Sequence, residues 1–563
     1  MKDYFDLGPH SMPVTTASGE AQRWFDRGLA WCYGFNHEEA VGCFTRAAEA
    51  DPACAMAYWG IANASGPNYN KQWEIFDPED LAHALSRAFD AIQRAKAASR
   101  HVSDLEQRLI RALALRYQQP EPPADPDDFR RWNDDYAREM REVYKAYPDH
   151  FDVVALYCDA LINRTPWQLW DLTTGAPAEG ADTLEAKAAL ELAMAVMEAP
   201  DIPFHAGILH VYIHVMEMSP MPELALRAAD RLPGLVPDAG HLHHMSSHIY
   251  VICGMYQDVV RVNSAAIEAD RKYLARHGAN NFYTFYRVHD YHFKAYGAMF
   301  LGQFEAAISA ARELEATLPE DLLRVESPPM ADWLEAYLGI QTHVLIRFGK
   351  WQDLIDAPLP EDPELYAMTT AMLHYAKGVA FAALGKVSSA EAQLARFEAA
   401  AARVPASRML FNNTCSDLLE IAHQMLLGEL EYRRGNFTEA YAHLRNSARC
   451  DDSLPYDEPW GWMQPTRHAL GALLLEQGHV DEAAEVYEAD LGLQGTLPRP
   501  CQHPENVWAL HGYHECLSRQ GRDVEASIIA KRLALAQARA DRPIEVSCLC
   551  RLQPHETSCC TSA

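Results

Sequence analysis

Two histidine pairs recur in one frame: His210 and His214 in HAGILHVYIH, then His244 and His248 in HLHHMSSHIY, each 34 residues after its counterpart. A period of that length is what a helix–turn–helix unit stacked on copies of itself produces. Residues one period apart then sit at the same height on neighbouring parallel helices. The expected fold is therefore all-α, a right-handed α-solenoid whose core grows by stacking. That is how a chain of 563 residues escapes the size limit of a single core. Ala-rich helical stretches dominate, and runs of alternating Val, Ile or Thr between turn residues are nearly absent.

Between Ala21 and Pro52, Trp24, Gly28, Trp31, Ala40, Phe44, Ala47 and Pro52 recur as large, small, aromatic, small, aromatic, small and helix-ending residues. These offsets resemble those of a tetratricopeptide repeat (TPR). Gly28 and Ala40 allow two antiparallel helices to approach, Phe44 and Ala47 fill the next interface, and Pro52 ends the second helix. A turn Gly followed five residues later by a small or aliphatic residue marks further repeats at Gly254, Gly302, Gly349, Gly385, Gly435, Gly478 and Gly521. The segment from Phe204 to Pro237 joins them through Ala225. Roughly nine to eleven helix pairs are expected. The predicted organisation is an N-terminal extension over 1–20, one continuous TPR-like array over 21–541, and a Cys-rich tail over 542–563. Insert loops are expected at 118–128 and 165–183.

Acidic residues outnumber basic ones by 78 to 49, a formal charge of -29, which repels phosphate backbones and anionic membranes. No nucleic-acid or membrane partner is expected. There is no bilayer-length apolar run and no basic-then-apolar start, so the reading is a cytoplasmic protein. The 13 cysteines are mostly scattered singly through helical segments, as buried reduced thiols would be. The tail carries Cys548, Cys550, Cys559, Cys560 and His555 but fits no closed zinc signature, and it reads as disordered. No phosphate-cradling Gly loop and no GxSxG elbow occur, so no nucleotide cofactor is expected.

Ten of the 25 histidines fall between His205 and His292. In the repeat frame, His210 and His244 share position five of their first helices, and His214 and His248 share position nine. The next first helix, YRVHDYHF, adds His289 and His292. Residues four apart on a helix have Cβ atoms about 5 to 6 Å apart, and adjacent helices lie about 8 to 10 Å apart, so the six rings converge on one groove. All-imidazole donors suit copper, zinc, nickel or iron, with copper favoured here over zinc or iron. His205, His241, His243 and His343 are further ligands or supporting donors. Glu217 and Asp290 supply oxygens to orient ligand rings. Tyr291, Tyr212, Tyr250 and Tyr286 add hydroxyls nearby.

Two other segments are candidates for substrate contact. The loop TPWQLWDLTTGAPAEGADT places Trp167 and Trp170 among turn residues, as lids and binding loops do. The segment LPYDEPWGWMQPTRH gathers Asp457, Glu458, Trp462, Arg467 and His468, and the following repeat adds Trp508 and His511. In both places aromatic residues that merely cap a solenoid explain the pattern about as well.

The motifs FNHEEA (35–40), AMAYWG (55–60), GPNYN (66–70), the two His blocks, PWQLWD and YDEPWGWMQP together resemble a family of bacterial and fungal TPR-domain proteins. The resemblance spans about Ala21 to Asp541. It implies that the six histidines matter together, and it adds His37, Trp59, Asn68 and Asn70 beside the same groove. It names no reaction. The leading expectation is a metal-dependent oxidase or oxygenase acting on a small organic substrate. The alternatives are a non-catalytic TPR scaffold for a peptide or protein partner and a zinc hydrolase or hydratase in the same site.

Overall fold

The computed structural model describes residues 4–551, and among them the chain is all-α. One two-stranded ladder, Met409–Leu410 with Asn413–Thr414, interrupts the helices. The chain gathers into two compact units. The first comprises the chain up to Lys294, with Thr317–Ala331 and Pro498–Pro500. The second comprises Ala295–Ala316, Asp332–Leu497 and the chain from Cys501.

In the first unit the helices are α1 (Gly19–Tyr33), α2 (His37–Ala50), α3 (Ala55–Ser65), α4 (Pro78–Ala98), α5 (Asp104–Leu113), α6 (Asp127–Ala146) and α7 (Phe151–Ile162). They continue with α8 (Thr183–Met197), α9 (Ala206–Glu217), α10 (Leu226–Arg231), α11 (Gly240–His244), α12 (Ser246–Ile252), α13 (Tyr256–His277) and the start of α14 (Tyr283–Leu301). The second unit carries pairs such as Ala367–Ala383 with Val387–Ala401, Cys415–Arg434 with Phe437–Asp452, Thr466–Glu476 with Val480–Asp490, and Val507–Arg519 with Asp523–Gln537. Consecutive helices packed as pairs are the TPR-like arrangement expected from the period.

The small residues act where the repeat frame puts them. A Cβ on Gly28 of α1 would lie 2.6 Å from the Phe44 ring, and one on Gly60 of α3 would lie 2.4 Å from it, so Phe44 of α2 is clasped between two helices that lack side chains there. In the second unit Gly471 and Gly512 clasp Tyr487 in the same way, at 2.5 and 2.3 Å. Rings gripped this closely lock the helix pair at one distance.

The seven turn glycines all adopt positive φ, between 61° and 84°, and each stands two residues before the second helix of its pair. Only glycine takes that left-handed conformation without penalty. In the first repeat the equivalent position is Phe35, two residues before α2, with φ 54°. A non-Gly residue held there costs about 1–3 kcal/mol, so the position is occupied for what the ring touches.

The N-terminal extension packs onto the first unit: Phe5, Leu7 and Met12 are buried, and Asp6 and Asp238 exchange backbone and side-chain hydrogen bonds at 2.9 and 2.7 Å. The tail differs from its reading as disordered as far as it is described. Ile544, Ser547 and Cys550 are buried in the second unit, and Cys548 and Cys550 form a disulfide. Gly302 and Gly349, having no side chain, leave the space that Ile544 and Leu549 fill. Cys559, Cys560 and His555 lie outside the described residues.

Candidate metal centre

Four helices deliver the imidazoles: α9 carries His210 and His214, α11 and α12 carry His241, His244 and His248, and α14 carries His289 and His292. All seven are 4% exposed or less, in a sealed interior where the repeat frame predicted an open groove. Two groups of three form, His210 with His214 and His241, and His244 with His248 and His289. Within each group one nitrogen per ring lies within 4.8 Å of the others. The groups adjoin, with the rings of His241 and His244 stacked at 5.6 Å and those of His214 and His248 edge-on at 5.9 Å.

The hydrogen bonds around these rings point outward. His210 Nδ1 donates to the Tyr33 carbonyl at 2.6 Å. Glu217 takes one ring from each group, accepting from His214 Nδ1 at 2.9 Å and from His248 Nδ1 at 2.7 Å. His244 Nδ1 faces Asn263 Oδ1 at 2.8 Å and Asp290 Oδ1 at 3.1 Å. The orientation of Asn263 is fixed because its Nδ2 donates to the Val259 carbonyl at 2.9 Å. Both Nδ1 atoms of His244 and His248 are therefore donors, and each Nε2 of the neutral rings is a lone pair. Those two Nε2 atoms face each other at 2.8 Å. Two lone pairs at that distance repel unless they share a cation. His210 Nε2, His214 Nε2 and both nitrogens of His241 have no hydrogen-bond partner among the described residues.

Burial makes a proton a poor candidate for that cation. It drives the His210 ring down to about 3 and holds His214, His241, His244 and His289 well below the ordinary imidazole value, with neighbouring rings adding to the effect. Neutral, inward-facing imidazoles with acceptors behind them fit the donor set that a transition metal would take. Behind His244, burial and mutual repulsion push Asp290 well above the carboxylate range. Asp270, which interacts with it, is raised to about 6 by burial. Gly240 permits the approach, since a Cβ there would lie 2.0 Å from Asp270 Oδ1.

Aromatic residues close the centre and explain its burial. Phe35 lies 4.4 Å from the His210 ring and stacks on His214 at 5.7 Å and His241 at 5.6 Å. Tyr69, in the GPNYN turn, lies 4.6 Å from His214, and Trp167 of the insert loop lies 4.8 Å from Tyr69 and 6.1 Å from His214. Trp170 fastens that loop to α9 by donating to the Val215 carbonyl at 2.6 Å.

The remaining predicted residues take varied places. His292 is buried one turn beyond His289, with ring centres 5.9 Å apart, outside the two close groups. His205 caps α9, its Nδ1 accepting from Ile208 N at 3.2 Å. Its Nε2 therefore carries hydrogen and donates to Asp152 Oδ1 at 3.1 Å, where His10 and Tyr33 also bind. His243 bonds the Pro237 carbonyl at 3.0 Å. Trp59 is core, donating to the Leu109 carbonyl at 3.2 Å, and Tyr291 is buried. Asn68 folds the GPNYN turn through hydrogen bonds to Asn70 N and Lys71 N, and Asn70 neighbours Tyr286.

The late cluster lies in the second unit. His343 stands edge-on to Trp462 at 4.6 Å, Asp457 accepts from Asn413, and Arg467 pairs with Asp452. His468 bonds Asp490, Trp508 donates to the Met299 carbonyl, Glu458 is buried and His511 is half-buried. Phe35, Tyr69, Asn263 and Asp152 were not singled out from sequence. For Phe35 a signal existed, since it breaks the turn-glycine rule.

No family model matches the chain, and no curated protein matches it. Among solved structures, yeast Tom70 is similar over 92% of this chain and 92% of its own at 12% identity, with a TM-score of 0.29. A monomeric IFIT1 mutant with Gppp-AAAA covers 93% and 91% at 10% identity and 0.30. The APC/C hetero-tetramer Cut9-Hcn1 covers 95% and 96% at 12% identity and 0.27. At those scores we take neither site nor function from them.

Proposed function

We propose that the first unit binds transition metal in the two three-histidine groups, copper in preference to zinc or iron, and uses it to oxidise a small organic substrate. The observation that carries this reading is the facing pair His244 Nε2 and His248 Nε2 at 2.8 Å, each ring locked by an acceptor on its other nitrogen. His210, His214 and His241 fit as the second donor set, and Glu217 joins the two. Bound copper would supply one-electron chemistry with dioxygen. The protein's own part is to fix ring orientation and to exclude water through Phe35, Tyr69 and Trp167.

A second reading is supported by the same burial. A metal sealed among helices also stiffens a TPR-like scaffold whose function is to bind a peptide or protein partner, and no chemistry at the centre is then needed. Metal analysis of untagged protein, with the His244→Gln, His248→Gln double variant beside it, tests the site. About two equivalents of copper in the wild type and a loss in the variant are expected for the donor sets. No metal after reconstitution would leave the scaffold reading alone. Metal that is bound but protects the fold without any oxygen consumption across a panel of small organic substrates would favour the structural role.

A further inference from the structure

Next to the His centre, the first unit holds two neighbouring cavities that share Phe35 and His37 as lining residues. The inner, of about 30 Å³, is lined by His210, Asn63, Arg116 and Asp159 among others. The outer, of about 230 Å³, is lined by Asn36, Lys71, Phe76, Arg87 and Phe282 among others. Arg116 is the unusual group. It is 1% exposed, donates through Nε to Asn133 Oδ1 at 3.1 Å, and stands over the Tyr136 ring at 5.2 Å, while its Nη2 has no partner among the described residues. Asp159 feels its charge but hydrogen-bonds Asn163. A buried guanidinium without an ion pair is costly, and an anion reaching it recovers that cost.

We propose that the two cavities seat a small organic carboxylate, its head group on Arg116 in the inner cavity beside His210 and the rest of the molecule in the outer one. This names the substrate class of the centre described above and rests on that reading. The size and charge of the cavities choose the ligand. The inner space, about 30 Å³, is small and suits a compact head group such as a carboxylate. Arg116 is the one Arg or Lys among the residues lining the inner cavity, which suits a monoanion. In the outer cavity Lys71 is already neutralised by Asp80 at 2.5 Å, and Arg87 is engaged with Ser65 at 2.8 Å. Further polar atoms line that cavity. Asn36 Nδ2 and His37 Nδ1 are buried with no partner among the described residues, and the Phe76 and Phe282 rings offer apolar faces.

The test is calorimetric titration of sodium butyrate, the neutral isostere butyramide and sodium chloride into copper-reconstituted and metal-free protein at constant ionic strength. Butyrate should bind saturably and at least about tenfold tighter than butyramide or chloride, the step a charged hydrogen bond contributes. Arg116→Met should abolish that preference without changing copper content. Arg116→Lys, which keeps the charge but not the planar fork, should retain part of it. Equal binding of butyrate and butyramide by the wild type would overturn the proposal without recourse to any variant. So would chloride binding as tightly as butyrate, or a folded Arg116→Met protein that keeps the preference. Butyrate binding without copper binding would sink the metal reading and leave the carboxylate seat standing; copper binding without butyrate preference would do the reverse.

Discussion

Buried histidines occur in both units, and the two clusters meet opposite ends. In the second unit His468 is saturated: Nδ1 accepts from Arg347 at 3.0 Å and Nε2 donates to Asp490 Oδ2 at 2.8 Å. Asp490 also takes His503 Nδ1 at 2.9 Å and Asn506 Nδ2 at 3.0 Å. In the first unit the carboxylate and amide acceptors sit behind the rings, on Nδ1, and the Nε2 atoms of His210, His214, His244 and His248 are left facing inward. Burial and the helical frame are alike in the two clusters. His503 also bonds through Nδ1 and leaves its buried Nε2 without a partner among the described residues. What separates this structural node from the proposed metal centre is that no second open imidazole nitrogen converges on it among those residues, whereas in the first unit the open nitrogens gather in threes. Among the described residues, every group of three close ligand atoms lies in the first unit.

The sharpest way to break this contrast is to mutate both clusters and count metal. The His244→Gln, His248→Gln variant should lose its copper, whereas His468→Gln, His503→Gln should keep the wild-type stoichiometry by mass spectrometry. Metal lost from the second variant would show that convergence of open nitrogens does not sort the sites. The reciprocal experiment is Asp490→Ala. It leaves two imidazoles and an amide without their acceptor, and it should cost about 3–5 kcal/mol in denaturant unfolding while sparing copper.

The same residue gives a pH dependence. Burial alone would raise Asp490, but His468 and His503 outweigh it and hold the carboxyl well below its ordinary value. A depressed folded value stabilises fully above the unfolded carboxylate value of about 3.9 and is lost as pH falls towards the folded one. The stability gap between wild type and Asp490→Asn should therefore be constant from pH 7 to 5 and narrow below pH 4. A gap that widens on acidification would reverse the assignment.

Much of the fold was legible in sequence because a stacked repeat writes its period and its turn glycines openly. All seven marked glycines occupy the left-handed turn. The site was legible in part. The helical spacing of His210 with His214 and of His244 with His248 is a local property, and it put each pair on one face. The place of His241 depends on where α11 begins and on the packing of α14 against it, which no local spacing encodes. The closure by Tyr69 and Trp167 depends on how two irregular segments lie on α9. The separation of the late cluster into the second unit is a property of long-range contacts. Phe35 was legible only as an exception, an aromatic residue where the other repeats carry glycine.

A finer test of the contrast is Glu217→Gln. The amide can accept from one Nδ1 but presents N–H to the other, so either His214 or His248 must shift its hydrogen to Nε2 and lose that lone pair. Copper affinity measured by chelator competition should fall about 10- to 100-fold, the usual effect of removing an acceptor behind a ligand ring. Unchanged affinity would mean that Glu217 does not orient ligands.

The smallest expected effect concerns the loop that seals the centre. Trp170→Phe keeps most of the buried ring and removes one hydrogen bond, the 2.6 Å link to the Val215 carbonyl. A net cost of about 1 kcal/mol follows, and it should fall on local opening of 165–183 rather than on global unfolding, because the loop also holds through Thr183 Oγ1 to the Leu169 carbonyl at 2.6 Å. Hydrogen exchange should therefore quicken in that loop by about fivefold, the factor such a cost implies, and copper should leave to a chelator faster while its stoichiometry stays the same. If exchange quickens but copper release does not, Trp167 and its neighbours close a route the metal does not use, and the seal serves the substrate side of the centre instead.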